Sequence, residues 1–217
     1  MSWKETYNAW KNYQALEPDL KDELAKLEGN DEALEDAFYA PMEFGTAGMR
    51  GVIGAGINRM NVYTVRQATE GLASLMDTLD EETKRRGVAI SYDSRHKSQE
   101  FAFESARVLG AHGIPSFVFE SLRPTPELSF TVRHLHAYAG IMITASHNPK
   151  QYNGYKIYGE DGAQIASEES DLITKYIREV DDIFAVEAAD KDALINDGTL
   201  KVIGSEIDKE YLAEVKK

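Results

Sequence analysis

With 217 residues, 42% of them hydrophobic and 28% charged, the chain is long enough for one sizeable core, or two small ones, of an ordinary soluble protein. It has no cysteine, which excludes disulfides and thiolate metal sites, no apolar run near the ~18 residues of a membrane span, and a polar start without the core of a signal peptide, so a cytoplasmic location and no membrane partner are expected. A net charge of −13 argues against nucleic acid, and only residues 43–159, with 13 Lys/Arg against 11 Asp/Glu between strongly acidic flanks, do not repel anions.

In residues 3–16 the apolar positions Trp3, Tyr7, Trp10, Tyr13 and Leu16 recur at helical spacing, and residues 19–27 and 31–38 suit two shorter helices around Gly29-Asn30. Together they form a helical lead-in over residues 1–40. Residues 44–56, with glycine at 45, 48, 51, 54 and 56, read as loop. Asn61 is placed to cap a long helix reaching about Arg86, with Gly87 as its stop.

From there the pattern alternates. A strand over 88–92 ends in Asp93-Ser-Arg-His-Lys97. A helix over 98–111, a strand over 116–119, a helix over 125–136 with Pro126 in its first turn, and a strand over 138–143 follow. Strand and helix in alternation predict an α/β fold, a three-layer α/β/α sandwich around a mostly parallel mixed sheet. Ligands of such sheets bind beyond the carboxyl ends of the strands, which gathers the loops 93–98, 120–125 and 144–153 on one edge. A fourth strand is expected over 155–158, a turn over 160–162 and a helix over 167–180. After 185 come a short helix, a strand near 200–203 and the start of another helix.

The densest chemistry lies in Thr144-Ala-Ser-His-Asn-Pro-Lys-Gln-Tyr-Asn-Gly-Tyr-Lys156, where Pro149 and an expected Asn153-Gly154 turn stiffen a loop presenting the Ser146 hydroxyl. A lone hydroxyl is a weak nucleophile, and by residue type alone such a serine is as readily structural. A Ser–His hydrolase is not expected. Ser146 and His147 would point to opposite sides of an extended segment, and no Gly-x-Ser-x-Gly elbow is present. The glycines of 44–56 form an anion-facing backbone nest or merely allow close packing; Arg50 and Arg59 favour phosphate, though neither Walker nor Gly-x-Gly-x-x-Gly spacing occurs. Asp93 and Arg95 suit a local ion pair, Arg123 is a loop cation without evident purpose, and His112, His134 and His136 read as structural.

Thr144-Ala-Ser-His-Asn-Pro149 followed by Asn153-Gly-Tyr-Lys156 resembles the phosphoserine loop of the α-D-phosphohexomutases. Phe44-Gly-Thr-Ala-Gly-Met-Arg-Gly51 resembles the amino-terminal active-site segment of that family, and Tyr92-Asp-Ser-Arg95 its next strand-end motif, in the same order. The lead-in with Trp3 and Trp10 is most similar to the phosphoglucomutase and phosphopentomutase branch. The resemblance implies the first domain of the phosphohexomutase fold over residues 1–200, with 201–217 opening the connection to a second domain.

It also implies a chemistry. Ser146 would rest as phosphoserine and exchange its phosphoryl group with a small phosphosugar, glucose 1-phosphate or glucose 6-phosphate, through glucose 1,6-bisphosphate. Lys156 would do acid–base or charge-stabilising work, Arg50 would lie near the transferring group, and His147 would flank the serine. Thr46, Gly48, Arg95 and Asn148 would bind substrate or phosphate. Mg²⁺ would sit on the Ser146 phosphate, its other ligands coming from an aspartate-rich loop that this sequence does not contain. On that reading the chain is a fragment, inactive without carboxy-terminal domains of the same polypeptide. A phosphopentomutase, a hexose-bisphosphate synthase and a non-catalytic phosphosugar-binding module are the alternatives.

Overall fold

The computed structural model of the chain describes residues 2–217. Three helices lead in: α1 (Trp3–Asn12), α2 (Pro18–Leu27) and α3 (Asp31–Phe38). A capping box between Ser2 and Glu5 starts α1, so orphan amide donors are satisfied at its first turn. α1 stops at Asn12, short of the expected 16, yet the apolar stripe continues its work. Trp10 packs edge-to-face on Phe38, Tyr63 and Phe184, and Tyr13 stacks on Phe184 at 4.0 Å.

Six strands follow: β1 (Met49–Val52), β2 (Val88–Tyr92), β3 (Ser116–Phe119), β4 (Ala139–Ile143), β5 (Tyr152–Tyr158) and β6 (Leu200–Ile203). They form one sheet in the order β1-β5-β4-β2-β3-β6. β4, β2, β3 and β6 are parallel, and β5 runs against both β4 and β1, which is the mostly parallel mixed sheet expected. The helices between are α4 (Val62–Met76), α5 (Glu81–Arg85), α6 (Ser98–Ala111), α7 (Thr125–His134), α8 (Ser167–Arg178), α9 (Lys191–Asp197) and α10 (Ser205–Val215).

Strand alternation divides the core between two faces. Val88, Ile90, Ile141, Ile143, Tyr155 and Ile157 join the large cluster with α4, α6 and α8. Ala89, Met142 and Tyr158 point the other way, onto Leu128 and Val132 of α7. The three layers are therefore written into the strands as period-2 burial.

Two expectations are corrected. The helix expected from 61 to 86 is two helices, because Asp80 accepts the Thr83 amide at 3.0 Å and caps a fresh start after α4 has ended. The stretch 44–56 contains β1, whose Met49 is buried and whose register sets Arg50 opposite Gly154. Arg123 also acquires a purpose. Its Nε and Nη2 donate to the two Asp208 oxygens at 2.6 and 2.8 Å, anchoring α10 beside the sheet's carboxyl edge. Glu127 lies buried behind that pair, and burial first, then Asp208, pushes its carboxyl up to about 7.

Candidate active site

Beyond the end of β4 the chain turns through Ser146 with φ of 54°, a left-handed backbone uncommon for a residue with a Cβ. The side chain of Ser146 is exposed there. This conformation also removes the expected opposition of Ser146 and His147: the segment is not extended, and Ser146 Oγ lies 3.4 Å from His147 Nδ1.

The loop is held by a web of hydrogen bonds from β2 and its following turn. Ser146 N–H donates to Thr144 Oγ1 at 2.9 Å, and that hydroxyl donates to Asp93 Oδ2 at 2.6 Å. Asp93 Oδ1 accepts from Ser98 Oγ at 2.9 Å and from the Arg95 amide at 3.0 Å. Arg95 turns inward beneath the loop. Its two terminal nitrogens donate to the carbonyls of Ser146, Asn148, Pro149 and Tyr152 at 2.7–3.1 Å, and its Nε lies 3.3 Å from Asp93. A guanidinium has five N–H groups, and four of them are engaged by loop carbonyls. Expected among the phosphate binders, Arg95 here spends its donors on the loop backbone.

β5 supplies the other wall. Asn153 and Gly154 lie within this strand and do not form the expected turn, since β5 begins at Tyr152. Buried Asn153 donates to His96 O and Ser98 Oγ, tying β5 to the Asp93–Ser98 turn. Gly154 is required by contact: a Cβ there would lie 2.6 Å from Thr144 O. Its bare face lets β1 and the loop close over it.

Alternation along β1 and β5 then sets Arg50 and Lys156 on one face, diagonal neighbours across the Arg50–Gly154 pairing, with Met49 and Tyr155 buried on the opposite face. Arg50 Nη1 donates to Asn148 Oδ1 at 2.8 Å. Lys156 is half-buried, and its ammonium is held below the usual lysine range by burial first and by the nearby Arg50 second. No carboxylate offsets either effect. Two neighbouring cations, one of them bonded to Asn148 in the loop of the exposed Ser146, make a place where negative charge is favoured.

The other expected residues divide. Gly48, at φ of 76°, donates its N–H to Gly45 O at 2.7 Å, and a Cβ on it would lie 2.1 Å from Tyr155 O. It shapes a turn that presses on β5, with its amide already paired. Thr46 is exposed at the tip of that turn, and its carbonyl accepts from the Gln164 side chain. Asn148 joins Arg50 through its side chain and Arg95 through its carbonyl.

Sequence reasoning passed over Thr144 and Asn153 as functional supports, and it took Asp93 as a mere partner of Arg95. The available signal was their place inside the two quoted motifs, with Asp93 and Thr144 just past the ends of the adjacent parallel strands β2 and β4 and Asn153 within β5. The groups around Ser146 do not by themselves form a Mg²⁺ site. Asp93 is committed to Thr144, Ser98 and Arg95, and no cluster of three or more His, Asp or Glu among the described residues could hold a metal.

Residues 41–183 match the family described as phosphoglucomutase/phosphomannomutase, alpha/beta/alpha domain I. The chain is 42% identical over 179 residues to a phosphoglucomutase of Staphylococcus saprophyticus, covering 82% of this chain and 32% of that protein. It is 46% identical over 158 residues to a phosphopentomutase of Homo sapiens, covering 70% and 26%. Among solved structures, a Thermus thermophilus protein assigned as a phosphomannomutase superposes with a TM-score of 0.57 at 32% identity, over 76% of this chain and 33% of the other. The chain thus spans 26–32% of the length of these curated relatives. With the three motifs meeting around one exposed serine and the match covering them all, the chain belongs to the phosphoglucomutase/phosphomannomutase family, as its α/β/α domain I.

Proposed function

We propose that the chain is the phosphoserine-bearing part of a phosphoglucomutase, in which Ser146 carries the phosphoryl group exchanged between O1 and O6 of glucose. The observation that supports this most directly is the exposed Ser146 hydroxyl on a rigidly held turn, with Arg50 bonded to the same loop and Lys156 near Arg50. Phosphoryl transfer needs positioning and charge stabilisation more than covalent chemistry, and this site is built for both.

In this reading the parts act as follows. Arg50, fixed by Asn148, faces the oxygens of the transferring group. Lys156, with its pKa lowered, gives and takes a proton at the sugar hydroxyl more readily than an ordinary lysine would. His147 lies against the serine oxygen. Mg²⁺, when bound by the complete protein, would neutralise charge on the phosphate of Ser146, and its remaining oxygen ligands would come from outside these residues.

The test is the mass of the purified chain and of the whole enzyme. Phosphorylation adds about 80 Da to the peptide containing Ser146. Ser146→Ala should abolish mutase activity while shifting stability by less than about 0.5 kcal/mol, because the changed atom is exposed. Near-normal activity in that variant would exclude the assignment. The human phosphopentomutase relative supports a second reading, a pentose substrate on the same chemistry. Comparing kcat/KM for ribose 1-phosphate and glucose 1-phosphate in the whole enzyme separates the two.

A further inference from the structure

We propose that Thr144 is a positioning residue for phosphoryl transfer at Ser146, with Asp93 as the fixed charge that orients it; this rests on the reading of Ser146 given above. The left-handed backbone of Ser146, φ 54°, is strained for a residue with a Cβ and persists only where its surroundings impose it. Thr144 is what imposes it. Its hydroxyl has one proton, and that proton is committed to Asp93 Oδ2 at 2.6 Å, which turns the oxygen's lone pairs toward the Ser146 amide at 2.9 Å.

Asp93 cannot swing away, because Oδ1 is held by Ser98 Oγ and the Arg95 amide, and Arg95 in turn grips the carbonyl of Ser146 itself. Both backbone polar groups of Ser146 are thus engaged, the N–H through Thr144 and the C=O through Arg95. A phosphate on Ser146 finds its backbone amide already paired, so its charge has to be met by groups outside the turn. Thr144 is only 6% exposed and is shielded from any sugar, so it acts through the turn and makes no contact with substrate.

The experiment pairs Thr144→Val, which keeps the shape and removes the hydroxyl, with Thr144→Ser, which keeps the hydroxyl. In the 217-residue chain, hydrogen exchange at the Ser146 amide is followed by NMR. Val should speed it by about tenfold or more, and Ser should leave it within about threefold. In the whole mutase, Val should lower kcat by about tenfold to a hundredfold with KM within about twofold, and Ser should restore it.

Wild-type exchange and kcat in Thr144→Val overturn the proposal. So does equal impairment in Val and Ser, which would mean that keeping the hydroxyl does not preserve function and that side-chain fit at the site decides the effect. Thr144→Ala takes the same measurements if Val fails to fold. Retained activity in Ser146→Ala removes the reading beneath, whereas loss there with full activity in Thr144→Val removes only the positioning role.

Discussion

Arg95 shows how one residue type can serve two tasks. The family resemblance implies a phosphate ligand there, and the guanidinium fork suits phosphate oxygens. The same fork suits carbonyls on a tight turn, and here it collects four of them. Lysine has three donors at one point and cannot span those positions. Arg95→Lys should therefore destabilise the chain by on the order of 3 kcal/mol, read from denaturant midpoints, although charge is conserved. An unchanged midpoint would show that the loop holds its own shape. Arg50 and Lys156 are the contrasting case. The family resemblance singled both out as candidates, yet their adjacency was not legible, since it depends on the register of a strand that the glycines conceal.

Among the elements, α4 and α6 are joined by a device that histidine spacing alone did not disclose. His112, at the end of α6, places Nδ1 2.6 Å from Asp77 and Nε2 3.0 Å from Glu70, both on the α4 side. The hydrogen bond to Glu70, opposed by burial and reinforced by Asp77, raises its pKa from 6.5 to about 9. A pKa raised in the folded state stabilises fully below the unfolded value and is lost as pH rises through the folded one. The contribution is thus complete below about 6.5 and gone above about 9. Allowing for partial solvent screening, it amounts to on the order of 1–3 kcal/mol. His112→Asn should be less stable than wild type by that amount at about pH 6, with the gap shrinking by about pH 10 in urea titrations. An equal gap at both would assign His112 a purely steric role. The alternating strands and helices of 88–143 were legible because β-branched runs, caps and turns agree there. β1 was not, because Met49-Arg-Gly-Val52 has weak strand propensity and is paired only through β5. Nor was the break after Met76, where one aspartate cap outweighs an otherwise continuous helical pattern.

At the scale of the molecule, the decisive feature is that the reactive corner is an open surface. Ser146, His147 and Arg50 are exposed, while clefts of the chain lie elsewhere, one around His112 and Tyr176 and another around Phe103 and Arg107. Sites that hold small ligands bury most of the ligand surface, and excluding water is what gives a pair of cations its leverage over a transferring phosphate. On the proposed function, the described residues would offer a sugar charge, a hydroxyl and rigid backbone from one side only. The chain also corresponds to 26–32% of the length of its relatives. The 217 residues assayed alone should accordingly bind glucose 1,6-bisphosphate weakly, with Kd above about 1 mM, equivalent to less than about 4 kcal/mol of binding. That binding should weaken further with salt, because the attraction comes from partly exposed charges. A coupled glucose 6-phosphate assay on the same preparation should give no measurable turnover. Turnover near the ~10 s⁻¹ typical of enzymes would mean that one open wall suffices for the reaction.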